Sequence, residues 1–141
     1  PPVEVVPGVT AGSAAAALLG APLAHDHAVV SLSDRLTPWA VIERRLRAVA
    51  DGDFAVALYN PRSAGRTWQL DAARSILLGG RPASTPVGIV TDATRADQDV
   101  VHTTLAHLDT TVVGMRSIVI VGRSTTVTVD GRMVTPRGYS T

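Results

Sequence analysis

Residues 54–66 read Phe-Ala-Val-Ala-Leu-Tyr-Asn-Pro-Arg-Ser-Ala-Gly-Arg, an apolar run of strand length that passes into a polar turn. The continuous apolar run predicts a strand that is buried on both faces. A helical pattern begins at Thr67, directly after the turn. Open α/β sheets bind ligands outside the carboxyl ends of their strands, and turns between a strand and a helix lie there. The turn offers an amide, a hydroxyl and two guanidinium groups, which suit carboxylate or phosphate oxygens. The alternative is an ordinary connection whose arginines are solvated.

The composition is that of a folded domain. The 141 residues are 45% hydrophobic and 18% charged, so the chain can bury a core and is not of the disordered class. The formal net charge is +1 and aromatic residues make up only 4%, too few to stack bases, so no nucleic-acid partner is expected. No apolar stretch reaches membrane-spanning length, so no membrane partner is expected either.

Cysteine is absent, and all 13 basic residues are arginine. The absence of cysteine excludes disulfides and thiolate nucleophiles and is consistent with a cytoplasmic protein. Each arginine carries a planar guanidinium group that can bind both oxygen atoms of a carboxylate. The abrupt start at Pro1-Pro2, without a signal peptide, is typical of a cut inside a longer protein, and we therefore expect a fragment.

Alternation, capping and turn signals predict the remaining elements. The predicted strands are a short one over 3–6 and others over 28–33, 86–90, 100–104 and 117–122, followed by a hairpin that turns at Asp130-Gly131. One helix lies between its cap Thr10 and Gly20, and another is capped by Thr67. A third has Thr37 as its cap, Pro38 at its first position and a hydrophobic contact between Leu36 and Val41. The order predicts an α/β fold, with a mixed, mostly parallel sheet, helices on both faces and an antiparallel hairpin at the end.

Three of the predicted strands end in similar polar sequences. These are Ser31-Leu32-Ser33-Asp34, Tyr59-Asn60-Pro61-Arg62-Ser63 and Asp92-Ala93-Thr94-Arg95. If the strands run parallel, their carboxyl ends meet at one edge of the sheet. That edge would carry hydroxyls, amides and arginines but few free carboxylates, which favours binding over hydrolysis.

The sequence gives little support to other chemistries. The segment His25-Asp26-His27 is the nearest approach to a metal-ligand pattern, and a hydrogen-bonded loop is the preferred interpretation, so no metal is expected. The nucleophile elbow, the phosphate-binding loop and the dinucleotide fingerprint are all absent from the sequence.

Several short segments follow one another in a characteristic order: Pro7-Gly8-Val9-Thr10-Ala11, Ser31-Leu32-Ser33-Asp34 with Thr37-Pro38-Trp39, Leu58-Tyr59-Asn60-Pro61-Arg62-Ser63, Pro86-Val87-Gly88-Ile89-Val90, Ile120-Val121-Gly122 and Thr135-Pro136-Arg137-Gly138-Tyr139. Together they resemble the tetrapyrrole (precorrin) methyltransferases, and among these most closely the precorrin-3B C(17)-methyltransferases of cobalamin biosynthesis. Each segment is weak alone, but their order and spacing cover essentially the whole chain.

The resemblance implies a protein of two α/β domains with S-adenosylmethionine in the cleft between them. Residues 1–141 resemble the carboxy-terminal domain, and the glycine-rich loop of the amino-terminal domain is absent. The resemblance also implies a precorrin substrate and a homodimer of the full enzyme. The isolated chain is therefore expected to bind the cofactor weakly or not at all and not to methylate alone.

The resemblance further implies roles for individual positions. The implied cofactor contacts are Thr10, Ala11, Leu58, Tyr59, Asn60 (where other members carry methionine), Ala93, Thr135 and Pro136, of which Thr10, Asn60, Ala93 and Thr135 should form one wall. The implied substrate contacts are Ser33, Asp34, Arg62, Ser63 and Arg66. Asp34 and Tyr59 are candidates for a proton donor in ring contraction. The alternatives are another tetrapyrrole or diphthine-type methylase, and a non-catalytic α/β binding or dimerisation module.

Overall fold

The computed structural model describes residues 1–139. Its elements are α1 (Ala11–Leu19), β1 (Gly20–Ala21), β2 (His27–Ser31), α2 (Trp39–Asp51), β3 (Ala55–Tyr59), α3 (Gln69–Leu78), β4 (Pro86–Thr91), β5 (Asp99–Thr104), a 3-10 turn (Thr110–Val112), β6 (Ser117–Val121), β7 (Val127–Val129) and β8 (Arg132–Val134). The predicted α/β fold is confirmed.

A mixed five-stranded sheet in the order β2-β3-β6-β4-β5 forms the centre of the fold. β2 and β3 are parallel, whereas β6 is antiparallel to both β3 and β4, and β5 is antiparallel to β4. The prediction that most neighbouring strands pair in parallel is therefore wrong, because β6 inserts between β3 and β4 and pairs antiparallel with both. These registers nevertheless make β2, β3 and β4 point the same way, so all three end at one edge, which we call the upper edge.

Helices cover both faces of the sheet, as predicted. α2 and α3 lie on one face over a core that includes Val56, Leu58 and Val119. α1 lies on the other face over Ala57 and Ile120. The longest helix, α2, has 13 residues, and within residues 1–139 none is long and apolar enough to cross a membrane.

The central strand β3 is buried on both faces, which confirms the prediction from its continuous apolar run. Residues 55–58 are no more than 1% exposed. The terminal hairpin is also confirmed: Asp130 and Gly131 have φ values of 49° and 73°, and β7 and β8 flank them as an antiparallel pair. Two left-handed residues give the turn the twist that a two-residue hairpin requires.

Four local predictions are wrong. Residues 3–6 form no strand, because no other strand pairs with them within the described part of the chain. Leu36 is 96% exposed and is not stapled onto α2. Thr37 and Thr67 do not cap their helices, since α2 and α3 begin one residue later than predicted, after Pro38 and Trp68, and neither has a side-chain cap.

The carboxylate of Asp53 joins the start of β3 to the loop after β6. It accepts hydrogen bonds from the backbone N–H of Ser124 at 2.9 Å and from the Ser124 hydroxyl. Partial burial alone would raise the pKa of Asp53, but the Ser124 hydrogen bonds and the charges of Arg81 and Arg123 outweigh it and hold the pKa below its usual value. The contact therefore stabilises the fold most when Asp53 is ionised.

We expect Asp53→Asn to flatten the acid limb of the stability profile. A lowered folded-state pKa gives stability that is present above the unfolded-state pKa, about 4, and is lost as the pH falls through the folded-state value. The contribution should stay below about 1 kcal/mol, because the side chain is largely solvent-screened. Thermal unfolding between about pH 5 and pH 3 measures it, and an unchanged slope in the variant would contradict the assignment.

Candidate functional site

A cleft of about 420 Å³ opens at the upper edge, between the start of α1 and the loop after β4. Its volume lies in the range of ligand pockets, roughly 300–1,000 Å³. Its apolar wall consists of Val9, Ala11, Ala14, Val90 and Ile118. The structure thus brings Ala11 and Ala93, two of the residues singled out in the sequence, to the lining of one cleft.

Thr10 and Tyr59 fix the start of α1. Thr10 caps the helix, as predicted, by accepting a hydrogen bond from the backbone N–H of Ser13 at 3.3 Å. The Tyr59 hydroxyl accepts from the backbone N–H of Gly12 at 2.6 Å and donates to Oγ1 of Thr10 at 3.2 Å. A Cβ atom at position 12 would lie 2.8 Å from the Tyr59 hydroxyl oxygen, so the close approach depends on glycine. Tyr59 therefore ties the first turn of α1 to the end of β3.

We expect Tyr59→Phe to reduce the free energy of unfolding by about 1 kcal/mol, since one hydrogen-bonding hydroxyl is lost at a half-buried position. Gly12→Ala should cost more, because the added methyl group displaces the ring. Urea unfolding measures both. Tyr139→Phe, at an 81% exposed site, is the matched control; an equal effect of the two tyrosine variants would contradict this role for Tyr59.

Asn60 holds the turn after β3. Its φ is 49°, a left-handed conformation that asparagine tolerates better than most residues. Its side-chain amide donates to Oγ of Ser31 at 3.0 Å, and its carbonyl accepts from Nε of Arg66 at 2.8 Å. The side chain thus connects β2 and β3 at the upper edge; it does not line the cleft.

The polar rim of the cleft is built around Asp92. This residue is 6% exposed, and its carboxylate lies 3.1 Å from Nη2 of Arg116. Asp92 and Thr94 have φ values of 50° and 65°. Left-handed conformations of non-glycine residues are costly and cluster at functional sites. The loop that carries Ala93 is therefore held in an unfavourable conformation beside the cleft.

Sequence reasoning noted Asp92 as part of a polar strand end but missed Arg116. Arg116 directly precedes β6, whose first residue, Ser117, pairs with Thr91 at the end of β4. Only the antiparallel insertion of β6 places Arg116 beside the cleft, and no local sequence signal predicts that pairing.

The residues implied for the substrate also lie at the upper edge. Nη1 of Arg62 donates to the carbonyl of Thr67 at 3.0 Å, and Oδ2 of Asp34 accepts from Nε2 of Gln69 at 3.0 Å. Ser63 and Arg66 exchange two backbone hydrogen bonds of 3.1 Å, which close the turn. The predicted gathering of three strand ends at one edge is confirmed. Because only β6 separates β3 from β4, these strands lie about 10 Å apart.

Thr135 and Leu58 do not face the cleft. Thr135 is 1% exposed, and its hydroxyl donates to the carbonyl of Pro22 at 2.6 Å and lies 2.8 Å from Oγ1 of Thr126. Thr126 packs on Gly122, at the far end of β6 from the upper edge. The predicted convergence is therefore wrong for Thr135, because β8 pairs with β1 beyond the end of α1.

The side chain of Leu58 packs into the core on the face of α2 and α3, so it does not reach the cleft. Pro136 is exposed and follows Thr135, on the side of the fold away from the upper edge. Direct cofactor contact by Leu58, Thr135 and Pro136 stays a prediction of the family resemblance, and the geometry does not support it.

The histidine segment forms a loop contact. Nδ1 of His25 lies 4.0 Å from the Asp26 carboxylate, and the ring of His27 is 3.1 Å from the carbonyl of His25. Within residues 1–139, no three histidine, aspartate or glutamate side chains are grouped so that they could hold a metal ion.

Comparison with known proteins gives consistent matches. Residues 1–109 match the family model of the tetrapyrrole (corrin/porphyrin) methylases. A probable cobalt-factor III C(17)-methyltransferase of Salmonella typhimurium is 51% identical over 138 residues, which are 98% of this chain and 57% of that protein. A precorrin-3B C(17)-methyltransferase of Sinorhizobium sp is 45% identical over 141 residues, 96% of this chain and 56% of that protein.

Solved structures agree with these relatives. The methyltransferase CobJ superposes with a TM-score of 0.89 at 38% identity, over 94% of this chain and 56% of that one. The uroporphyrin-III C-methyltransferase of Thermus thermophilus, solved with S-adenosyl homocysteine, gives a TM-score of 0.58 at 28% identity, over 86% and 52%. The chain thus spans little more than half the length of each of these four proteins. On these grounds, the chain belongs to the tetrapyrrole (corrin/porphyrin) methylase family.

Proposed function

We propose that this chain is the carboxy-terminal domain of an S-adenosylmethionine-dependent enzyme of cobalamin biosynthesis. The enzyme methylates ring carbon 17 of precorrin-3B, with contraction of the macrocycle. The names of two relatives, which specify C(17) methylation, support this reaction. The observation that carries the proposal is the cleft shared by Ala11 and Ala93 at the upper edge of the sheet.

The residues of the cleft fit S-adenosylmethionine. The small side chains of Ala11, Ala14 and Ala93 leave room for a flat adenosyl group against an apolar wall. The largely exposed guanidinium of Arg116 offers a cationic partner for the carboxylate of the cofactor, and the buried carboxylate of Asp92 holds that guanidinium at the rim. When bound, the cofactor supplies an electrophilic methyl group on a sulfonium sulfur.

The protein's own residues mainly bind the precorrin and orient it toward the cofactor. Arg62 and Arg66 grip the carboxylate arms of the precorrin, since a guanidinium binds a carboxylate at two atoms. Methyl transfer from a sulfonium needs little acid–base assistance, so positioning and exclusion of water dominate.

Hydrogen bonds distinguish the two candidate proton donors for ring contraction, Asp34 and Tyr59. The Tyr59 hydroxyl donates a hydrogen bond to Oγ1 of Thr10, which disfavours Tyr59 as the proton donor. Asp34 stays the candidate, because its carboxyl lies at the upper edge with Gln69 engaging only Oδ2.

An amino-terminal domain completes the cleft in this proposal. Two observations support this second domain. The cleft is open at the upper edge, and this chain covers no more than 57% of either of the two relatives. The full enzyme is proposed to be a cytoplasmic homodimer. The open, arginine-bearing edge favours an enzyme half-site over a dimerisation module, which would instead bury an apolar face.

We expect the isolated chain to bind S-adenosylmethionine no more tightly than millimolar, because about half of the cofactor's contacts are missing and millimolar affinity corresponds to only about 4 kcal/mol. Titration calorimetry on residues 1–141 measures this. Micromolar binding by the isolated chain would contradict the proposed division of the site between two domains.

Methyl transfer tests the reaction itself. The longer protein that carries this chain is incubated with methyl-labelled S-adenosylmethionine and precorrin-3B, with cobalt-factor III as the parallel substrate. The proposal predicts one labelled methyl group at ring carbon 17 of a contracted product. Label at another ring carbon, or in neither substrate, would refute the assignment.

A further inference from the structure

Two tryptophans that are far apart in the sequence meet at the upper edge. The ring centroids of Trp39 and Trp68 are 4.9 Å apart, and the rings are inclined by 72°, a T-shaped arrangement. Trp39 begins α2 and packs against the core. Trp68 directly precedes α3 and is 49% exposed. The pair therefore anchors one indole and presents the other to the outside.

At least one face of the Trp68 ring is free of Trp39. In a T-shaped pair, the edge of one ring meets the face of the other, so Trp39 covers at most one face of its partner. Because Trp68 is 49% exposed, part of its flat apolar surface remains open to solvent.

Arg66 precedes Trp68 by two residues in the same turn and has unused donors. Its Nε donates to the carbonyl of Asn60, and within residues 1–139 its two terminal nitrogens make no hydrogen bond or ion pair. Arg62 is less available, since its Nη1 donates to Thr67 and its charge also reaches Asp109. Arg66 is therefore the better anion partner next to Trp68.

We propose that Trp68 and Arg66 form one subsite, in which the conjugated face of a tetrapyrrole stacks on the indole while one of its carboxylate arms is held by the guanidinium. This inference rests on the proposed function and adds to it a stacking residue. Flat aromatic faces stack on exposed indoles, and guanidinium groups bind carboxylates at two atoms. The subsite lies at the end of β3, on the same edge of the sheet as the cleft of Ala11 and Ala93.

A porphyrin with free carboxylates, uroporphyrin, tests the subsite on the chain of residues 1–141, with its methyl ester as the uncharged counterpart. Binding is followed by the porphyrin's visible absorbance. We expect Trp68→Leu and Arg66→Gln each to weaken uroporphyrin binding by about tenfold. The ester should bind more weakly, and Arg66→Gln should leave its affinity unchanged.

Matched controls remove the same groups elsewhere. Phe54→Leu deletes an exposed aromatic ring at the opposite end of β3, and Arg132→Gln deletes a charge in β8; neither should change binding. Trp68→Phe should restore part of the affinity that Trp68→Leu loses, which separates stacking from misfolding. Circular dichroism confirms that each variant is folded.

The outcomes separate this inference from the proposed function. Unchanged binding in Trp68→Leu together with weakened binding in Arg62→Gln would overturn the subsite and leave the proposed function standing. Equal affinity for acid and ester, or no porphyrin binding by the unaltered chain, would also overturn the subsite. The proposed function fails on its own test, if the longer protein does not methylate ring carbon 17.

Discussion

Replacing Arg81 with methionine should lower the free energy of unfolding by about 3 kcal/mol, because a buried guanidinium that satisfies several carbonyls is lost. Arg81 is 6% exposed. Its Nη1 donates to the carbonyls of Phe54 and Gly122 at 3.0 and 2.6 Å, and its Nη2 donates to that of Val49 at 3.2 Å. One side chain therefore joins the end of α2, the start of β3 and the residue after β6.

The charge of Arg81 persists despite its burial. Burial lowers the pKa of Arg81 and the carboxylate of Asp53 opposes that shift, while an arginine stays ionised at neutral pH. Arg44→Met, at an exposed position of α2, is the matched control and should leave stability within about 0.5 kcal/mol. Equilibrium unfolding in urea measures both variants, and a loss below about 1 kcal/mol for Arg81→Met would show that the three carbonyls do not depend on it.

On the proposed function, Ala93→Leu should weaken binding of S-adenosylmethionine to the longer enzyme roughly a hundredfold, equivalent to about 3 kcal/mol, since the three added carbon atoms compete with the cofactor for space in the cleft. Ala93 lines the cleft between two left-handed residues but does not itself have a positive φ. Leucine can therefore adopt the backbone conformation, and we expect its larger side chain to occupy part of the cleft that Ala93 lines. The affinity change is measured by calorimetry on the full-length protein.

The control for that variant is Ala48→Leu, which adds the same atoms at an exposed position of α2. Both variants should unfold at the same temperature as the unaltered protein, so that only the affinity distinguishes them. If Ala93→Leu binds the cofactor as tightly as Ala48→Leu, the cleft at the upper edge is not the cofactor site.

Local sequence signals were sufficient at the start of α1, at the terminal hairpin and in the central strand, but they misplaced the caps of α2 and α3. Thr10 caps α1 because its hydroxyl reaches an N–H three residues later, and Asp130-Gly131 turns because both residues accept positive φ. The apolar run of residues 55–58 predicted burial on both faces, since no polar side chain interrupts it.

Pairings between distant segments could not be predicted in this way. The insertion of β6 between β3 and β4 reverses the expected parallel pairings and places Arg116 beside Asp92. The pairing of β8 with β1 likewise carries Thr135 away from the upper edge. Hydrophobic periodicity predicts that a strand exists, but it carries no information about which strand will be its neighbour.

Nuclear magnetic resonance on residues 1–141 tests the proposed cofactor wall most directly, because it detects millimolar binding residue by residue. The isotope-labelled chain is titrated with S-adenosyl homocysteine. The assignment predicts that the amide resonances of Ala11, Ala93 and Thr94 shift together, while those of Gly79 and Gly80, beside a second groove between α2 and α3, stay in place. Saturable shifts around Gly79 and Gly80 with none at Ala11 and Ala93 would contradict it.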